Sequence, residues 1–544
     1  MTFAKCYRPL LEFLAVCGFL LVSASCTLIE DRIDRRTGGP NVPADTAVYM
    51  DLESTGHTEA VAAQTLPPGP LKLTITEAIL LSLENNRALV VQRLNPSIQQ
   101  TFEDQERAVF DPVTNAEITA GRVEGERLSR SGSETEDFTT DTTDGIISLE
   151  QFFPTGTTVA LEGSTRMNDS SLYDDRFYAT RLGMTVTQAL LRGYGSDVNL
   201  VRLQQARLDT RMTEYELRGF TEFLVAEVER TYWDYALARR QIEIVEESLK
   251  VARQQLDDTN ELITVGRLAK SELAAVQAEV AAQKQALIEA RANKESMRLQ
   301  LLRLLNPAGP GLWQREIDLI HQPTLPDIKL DDVALHVAVS MRMRPILNEA
   351  RLEILRGDLE LVRTRNGMLP LMDLFITLGK SGYANSFGES IRNISEDSYD
   401  ALGGVQFQYP VFNRDAAARH RKALLTREQS EKALENLSQL VEVDVRTVYI
   451  EVTRTKQQIT ASSVTRKFDE EKLRIETEKL RVGKSTSFLV AQAQRDLLVS
   501  RIAEVRALAN YLKALVDLYR QDGSLLERRG IAAPGLEPVA LSKK

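Results

Sequence analysis

Cysteine and histidine are almost absent from this sequence of 544 residues. All three cysteines lie within the first 26 residues: Cys6, Cys17 and Cys26. The rest of the chain can therefore hold neither an internal disulfide nor a cysteine-ligated metal. The four histidines show no metal-ligand spacing: they are His57, His321, His336 and His420. We predict no metal site and no cofactor.

The usual signals of an enzyme or a nucleic-acid-binding protein are also missing. The net charge of −10 and the acidic sequence pI of about 5.3 argue against nucleic-acid binding. No nucleophile elbow or serine–histidine arrangement is found. Residues 483–485 are similar to the end of a phosphate-binding loop, but Glu478 stands where an earlier glycine is required, and a predicted helix, not a strand, precedes them. We therefore predict a protein that is not an enzyme.

Long apolar runs are missing after the amino terminus, so the sequence predicts no transmembrane helix. At the amino terminus itself, Lys5 and Arg8 precede an apolar run over 10–22 and small residues over 23–25. This pattern is typical of a secretory signal peptide, which we assign to residues 1–25.

Residues 21–26 resemble a bacterial lipoprotein cleavage site, with Ser23 where leucine is usual. This similarity predicts that Cys26 is the acylated first residue of the mature chain; the alternative is ordinary signal cleavage near Ser25. Residues 26–70 are rich in Gly, Pro, Thr and Asp without periodicity, which is typical of a tether.

Proline and glycine are also scarce over long central stretches. No proline falls between Pro154 and Pro307, and Gly219 is the only glycine between Gly195 and Gly266. Apolar residues there recur at gaps of three and four, as in a coiled-coil seam. The pattern predicts two long helices over 199–305, broken once at 265–268. At 1.5 Å per residue the first would be about 100 Å long.

The same plan occurs a second time. Residues 413–482 contain neither glycine nor proline, and the helical pattern resumes after a break at 482–484. Arg87 and Pro112 match Pro345 and Pro370 at one common offset, so the chain is a tandem duplication. The predicted segments are a first repeat over 71–305, a proline-rich linker over 306–332, a second repeat over 333–522 and a tail over 523–544.

Each repeat also contains β-rich sequence, at about 113–190 and about 370–412. Before the first of these we expect a helix over 73–110, capped by Thr76 and bent or split at Pro96. The expected strands are listed here: 119–123, 145–153, 157–163, 179–189, 370–378 and 405–411. Residues 124–144 and 384–400 are expected to be polar loops.

The strands alternate in polarity as membrane strands do. One chain offers four strands, and at most six, whereas a closed membrane barrel needs at least about eight. Open sheet edges cannot lie in lipid, so membrane strands of this chain would have to share a barrel with other copies. The alternative is a lipid-anchored periplasmic coiled-coil scaffold without a pore, in which the strands form an ordinary sheet.

These motifs, taken in order and twice over, resemble the TolC-like outer-membrane efflux family from residue 71 to about 521. The matching residues are Glu77-Ala78, Asn85-Asn86, residues 187–193, Arg344-Pro345, Val482-Gly483-Lys484 and Ala493-Gln494. Two departures stand out: the first β region is longer than a simple hairpin, and Ala278 lies two residues further from Gly266 than Ala493 does from Gly483.

The resemblance implies a mainly α fold with membrane β structure, built from the duplicated helix-strand-strand-helix unit. Three protomers would share one twelve-stranded barrel in the outer-membrane lipid, joined to a long periplasmic α-helical barrel. It also implies partners: a periplasmic adaptor protein and an inner-membrane pump, for which this chain would be the exit duct.

Two groups of candidate site residues follow. The helical turns, predicted to dock the adaptor, are Val265, Gly266, Arg267, Leu268, Val482, Gly483, Lys484 and Ser485. The candidate tunnel-mouth carboxylates are Asp257, Asp258, Glu261, Asp469, Glu470, Glu471 and Glu476. The glycines are expected at positive φ, because a tight helix reversal commonly requires it. The alternatives are that these glycines only end helices and that the carboxylates lie on a solvated helix face. Tyr232, Trp233 and Tyr235 are expected to pack in the core.

Overall fold

The computed structural model of the chain describes residues 70–541 apart from 129–131, 133, 172–173, 308–311, 322–323 and 327–328. The predicted signal peptide, Cys26 and the tether up to residue 69 lie outside the described residues.

The first half of the described chain contains five helices and five of the eight strands. In chain order these are β1 (Leu71–Leu73), α1 (Ile75–Asn85), α2 (Arg87–Arg107), β2 (Val113–Leu128), β3 (Thr135–Phe153), β4 (Thr157–Ser170), β5 (Phe177–Ala189), α3 (Ser196–Asn199), α4 (Val201–Thr264) and α5 (Glu272–Leu305).

The second half repeats this order with one β-hairpin fewer. Its elements are β6 (Ile317–Leu319), α6 (Val333–Met343), α7 (Pro345–Gly367), β7 (Leu371–Ala384), α8 (Phe387–Arg392), β8 (Tyr399–Gln408), α9 (Arg414–Arg481), α10 (Ser487–Gln521) and α11 (Leu525–Arg528). The predicted duplication is confirmed, because α1 and α6 each have 11 residues and α2 and α7 begin at Arg87 and Pro345. The long helices α4 and α9 have 64 and 68 residues, which at 1.5 Å per residue makes each about 100 Å long.

The first helical segment differs from the prediction in two respects. Thr74, not Thr76, caps α1: its hydroxyl accepts from the Glu77 N–H at 3.2 Å while the Glu77 carboxylate accepts from the Thr74 N–H at 2.7 Å. The break falls at Asn86, whose side chain caps α2, and α2 continues through Pro96. Side-chain capping at Asn86 therefore decides the boundary.

A central core forms where α5 and α10 end against the middle of α4. Its fully buried side chains include Leu301, Leu302 and Leu518. The expectation that Tyr232, Trp233 and Tyr235 pack in the core is confirmed.

The tyrosines of this core also fasten a small parallel sheet. Its two strands are β1 and β6, and β6 lies inside the segment predicted as a linker. The hydroxyls of Tyr232 and Tyr235 donate to the Leu73 and Ile317 carbonyls at 3.1 and 2.9 Å. Burying a tyrosine ring requires a partner for its hydroxyl, and the short strands supply it.

The carboxyl-terminal segment, which was predicted to be a tail, packs against the central core. Leu525 and Leu526 of α11 are fully buried in the central core, and Arg529 donates two hydrogen bonds of 2.6 Å to the buried Glu229 carboxylate. The leucines that follow Gly523 continue the core beyond the last long helix.

Within the described residues, six strands form one antiparallel sheet in the order β2-β3-β4-β5-β7-β8. The strands are longer than predicted: β2 and β3 extend into residues 124–144, which we expected to be a loop. The expected loop over 384–400 contains α8 and the start of β8, and β8 ends at Gln408, before Pro410. Threonine and charged residues fill these extensions, so apolar alternation did not reveal them.

Candidate membrane sheet and helical tips

The six-stranded sheet has one face that is apolar across its middle, where Lys380, opposite Leu182, is the one charged residue among the paired strands. Residues that pair across neighbouring strands lie on the same face of the sheet. Leu149, Leu161, Met184 and Leu378 form one such row. The apolar side chains on this face are Ala116, Ile118, Ile147, Leu149, Val159, Leu161, Leu182, Met184, Val186, Met372, Leu374, Ile376, Leu378, Val405 and Phe407. Ile118 is 83% exposed and Phe407 64%. We call this surface the apolar face.

Aromatic residues frame the apolar face at both ends of the strands. Phe153 and Phe407 lie at the end near the long helices, and Tyr178 and Tyr399 lie at the opposite end. An apolar band flanked by two aromatic girdles is the surface that a membrane β-sheet presents to lipid.

The opposite face of the sheet is polar and holds ion pairs between strands. Arg181 on β5 pairs with Asp400 on β8 at 2.7 Å and lies 3.9 Å from Glu162 on β4. Arg166 pairs with Asp144 at 2.5 Å. Such a face suits a water-filled interior. Among the described helices, none is both long enough and apolar enough to cross a membrane.

The two long helices end in the same hydrogen-bonded turn. At the end of α4, the N–H of Gly266 donates to Ile263 and that of Arg267 to Leu262, at 3.0 and 2.8 Å. At the end of α9, Gly483 and Lys484 repeat this pattern with the residues three and five positions earlier. This is the Schellman motif, whose turning residue adopts the left-handed conformation.

Positive φ at both glycines is confirmed. The φ angles of Gly266 and Gly483 are 74° and 71°, and open space surrounds the position of an added Cβ at each. The neighbouring Val265 and Val482 are 67% and 68% exposed. Each turn is thus held by local backbone hydrogen bonds, and an apolar side chain next to it is exposed to solvent.

The two tips also contact each other through a residue that the sequence reasoning missed. The carboxylate of Glu272, the first residue of α5, accepts from the backbone N–H of Ser487, the first residue of α10, at 2.9 Å. A carboxylate suits this place because unpaired N–H groups and the helix dipole make a helix start electropositive. The acidic start of a helix was the available sequence signal.

The seven candidate carboxylates divide into two groups. Glu470 pairs with Arg466 and Arg501, and Glu471 pairs with Arg474. Hydrogen bonds from Lys479 and Ser485, at 2.8 and 2.6 Å, hold the pKa of Glu476 below its usual value.

The other four candidates differ from this paired group. Asp258 accepts from the Gln254 amide at 2.9 Å, while Asp257 and Glu261 are exposed. Among the described residues, no ion pair involves these three or Asp469. The paired carboxylates are already neutralised by neighbouring cations, which leaves Asp257, Asp258, Glu261 and Asp469 with the freer negative charge.

A buried ionic cluster lies beside the central core. Arg218 contacts both Glu222, at 3.3 Å, and Glu527. Burial raises the pKa of Glu222 to about 8, and the Arg218 charge offsets this only in part, because Arg218 is shared with Glu527. Among the described residues, no group of His, Cys, Asp or Glu is arranged to hold a metal ion.

The fold and its surfaces define a class of protein in which a membrane β-sheet is continued by two long α-helical hairpins. Solved structures share this architecture. The outer-membrane channel OprN matches at 16% identity, with 83% of this chain and 90% of that chain covered and a TM-score of 0.63.

Two further channel structures extend the comparison. The Campylobacter jejuni CmeC outer membrane channel matches at 14% identity, with 89% of this chain and 94% of that chain covered and a TM-score of 0.60. The open Neisseria gonorrhoeae MtrE outer membrane channel matches at 17% identity, with 83% and 89% covered and a TM-score of 0.55. No curated protein sequence matches this chain.

The sequence profile of the family described as outer membrane efflux protein matches residues 150–307 and 342–524, well over half of the chain. This protein belongs to the outer membrane efflux protein family, and the resemblance drawn from its motifs is confirmed.

Proposed function

We propose that three copies of this chain form an exit duct, with their sheets in the outer membrane and their helical hairpins in the periplasm. The observation that carries the proposal is the apolar face of a sheet whose outer edges, along β2 and β8, have no further strand paired to them among the described residues. Six strands are too few to close alone, and open edges cannot lie in lipid.

The alternative of a pore-free periplasmic scaffold conflicts with the same face. A soluble scaffold would hold exposed residues such as Ile118, Leu182 and Phe407 in water on one continuous surface. The mass of the detergent-solubilised complex separates the two proposals. We expect a trimer that requires detergent; a monodisperse monomer that is soluble without detergent would support the scaffold.

We further propose that the two tips bind a periplasmic adaptor protein. Val265 and Val482 offer apolar contacts, and Arg267 and Lys484 can donate to carbonyls or carboxylates of the partner. The Schellman turns hold these side chains in place by backbone bonds alone. Local bonding therefore lets the docking surface keep its shape without a surrounding core.

The experiment replaces Val265 and Val482 with aspartate in one variant. Both residues are exposed, so the turns and the trimer should persist while docking fails, because a charge enters an apolar contact. Export is measured as accumulation of the pump's substrate in cells that also produce the adaptor and pump of the same organism. Leu536→Asp, an exposed apolar residue of the carboxyl-terminal segment, is the matched control.

Two outcomes would contradict the docking proposal. Export that survives the double substitution would show that the tips are only helix reversals. Loss of the trimer would show that the valines serve assembly instead.

The freer carboxylates, Asp257, Asp258 and Glu261 before the first tip and Asp469 before the second, are proposed to line the tunnel mouth, where three-fold repetition would make a ring that favours cations. Cys26 is proposed to carry lipid. Mass spectrometry of the mature amino terminus tests the lipid, and an unmodified Cys26 would refute it.

A further inference from the structure

We infer that the trimeric barrel contains eighteen strands, six from each protomer, instead of the twelve that the resemblance implies. The inference rests on the proposed trimer and concerns the hairpin β2–β3, which adds two strands to the four formed by β4, β5, β7 and β8.

The added hairpin is joined to the other four strands through β3, which pairs with β4 over residues 140–153. β2 pairs with β3 from Val113–Glu150 to Leu128–Thr135, and β3 pairs with β4 from Phe153–Thr157 to Thr140–Ser170. The turn over 154–156 joins β3 to β4 directly, so these two strands end at the same level on the helix-proximal side, and β2 begins nearby, with Val113 opposite Glu150. The hairpin therefore crosses the same layer as the other four strands.

The two-faced pattern of the sheet continues into this hairpin. Ala116 and Ile118 lie on the apolar face, in line with Ile147 of β3. Asn115 and Glu117 lie on the polar face. A flap in water would need no apolar face, whereas a strand in the barrel wall needs lipid on one side and water on the other.

The two free edges fit each other in direction. β2 runs away from the long helices and β8 runs back towards them, so β8 of the next copy can pair antiparallel with β2. Each protomer contributes an even number of strands, and membrane barrels are antiparallel and even-numbered in single-chain bacterial examples. The occupant of the β2 edge is therefore a second copy of this chain.

Closure with eighteen strands changes the size of the duct. Barrel diameter grows roughly linearly with strand number, so eighteen strands make a barrel about 1.5 times as wide as twelve. Barrels of about 16–18 strands leave an aqueous channel. The membrane part of this duct would be wider than the resemblance implies.

Disulfide cross-linking in the assembled trimer distinguishes eighteen from twelve strands. In a twelve-stranded barrel, β4 would be the edge that meets the neighbour's β8. One series combines Val405→Cys on β8 with Thr114→Cys, Ala116→Cys or Ile118→Cys on β2. The matched series combines Val405→Cys with Val159→Cys, Leu161→Cys or Gly163→Cys on β4. Every position lies on the apolar face, so each series samples successive registers of one seam.

We expect oxidation to link protomers in the β2 series and in none of the β4 series, with Val405→Cys alone as background. Links confined to the β4 series, or found in neither series of a complex whose mass is that of a trimer, overturn the inference. The mass itself reports on the proposed trimer, so failure of the trimer and failure of the eighteen-stranded barrel are read separately. Counting the strands by electron cryo-microscopy tests the inference independently: a barrel of twelve strands would refute the eighteen-stranded barrel.

Discussion

The central core and the helical tips are parts of the same helices, but different interactions form them. In the central core, side chains far apart in sequence are fully buried together, as with Tyr232 and Leu302. At the tips, backbone bonds within six residues make each turn, and Val265 and Val482 remain exposed. Stability therefore resides in the core, while the tips are free to carry a recognition surface.

The largest effect that would test this contrast is a core deletion. Leu302→Ala removes a fully buried side chain and should lower the free energy of unfolding by about 2–5 kcal/mol. Val482→Ala at the tip should change it by less than about 0.5 kcal/mol. Thermal unfolding of the detergent-solubilised protein, followed by its helical circular-dichroism signal, measures both. Equal effects at the two sites would break the comparison.

A smaller effect concerns the buried Glu222. Its pKa is raised from 4.5 to about 8, so the folded protein keeps a proton that the unfolded chain loses above pH 4.5. The contribution of Glu222 to stability is thus fully present below pH 4.5 and declines up to about pH 8.

Glu222→Gln keeps the neutral form at every pH. We expect it to match the wild type near pH 5 and to be more stable near pH 8, by on the order of 1–3 kcal/mol. Melting temperatures at the two pH values measure this, with Glu428→Gln on the exposed surface of α9 as the control. A variant less stable than the wild type at pH 8 would show that Glu222 is charged in the folded protein.

The smallest effect is expected at the tip glycines. Gly266→Ala and Gly483→Ala force a side chain into the left-handed region, at about 1–2 kcal/mol each. Because the turns are local, this should speed hydrogen exchange around the tips and leave the global melting temperature nearly unchanged. Gly530→Ala is the matched control, because Gly530 has a similar φ, 68°, and open space around the position of an added Cβ. Global destabilisation by the tip variants alone would show that the tips belong to the cooperative core.

Much of the helical architecture could be predicted because its signals are local and repeated. Long stretches without glycine or proline, seams at gaps of three and four, and a glycine at each break indicate long hairpins. The tip glycines lie where predicted, because a Schellman turn depends on a few consecutive residues. The roles of the tips and of Cys26 remain proposals.

The sheet was harder to predict because apolar alternation marks only the part of a strand in contact with lipid. β2 and β3 extend beyond that part with residues such as Arg122 and Asp141, which form an ion pair at 2.6 Å across the two strands. Cross-strand pairing of this kind is invisible until the register is known.

The sequence by itself determined the duplication, the two long helical hairpins and the family, because each depends on patterns within one stretch of chain or on their order. Only the tertiary structure decided which distant groups meet. It placed Glu272 at the start of α10, brought Glu527 to the arginine that also contacts Glu222, and paired β5 with β7. These outcomes depend on contacts between residues far apart in the chain, whose energies no local pattern records.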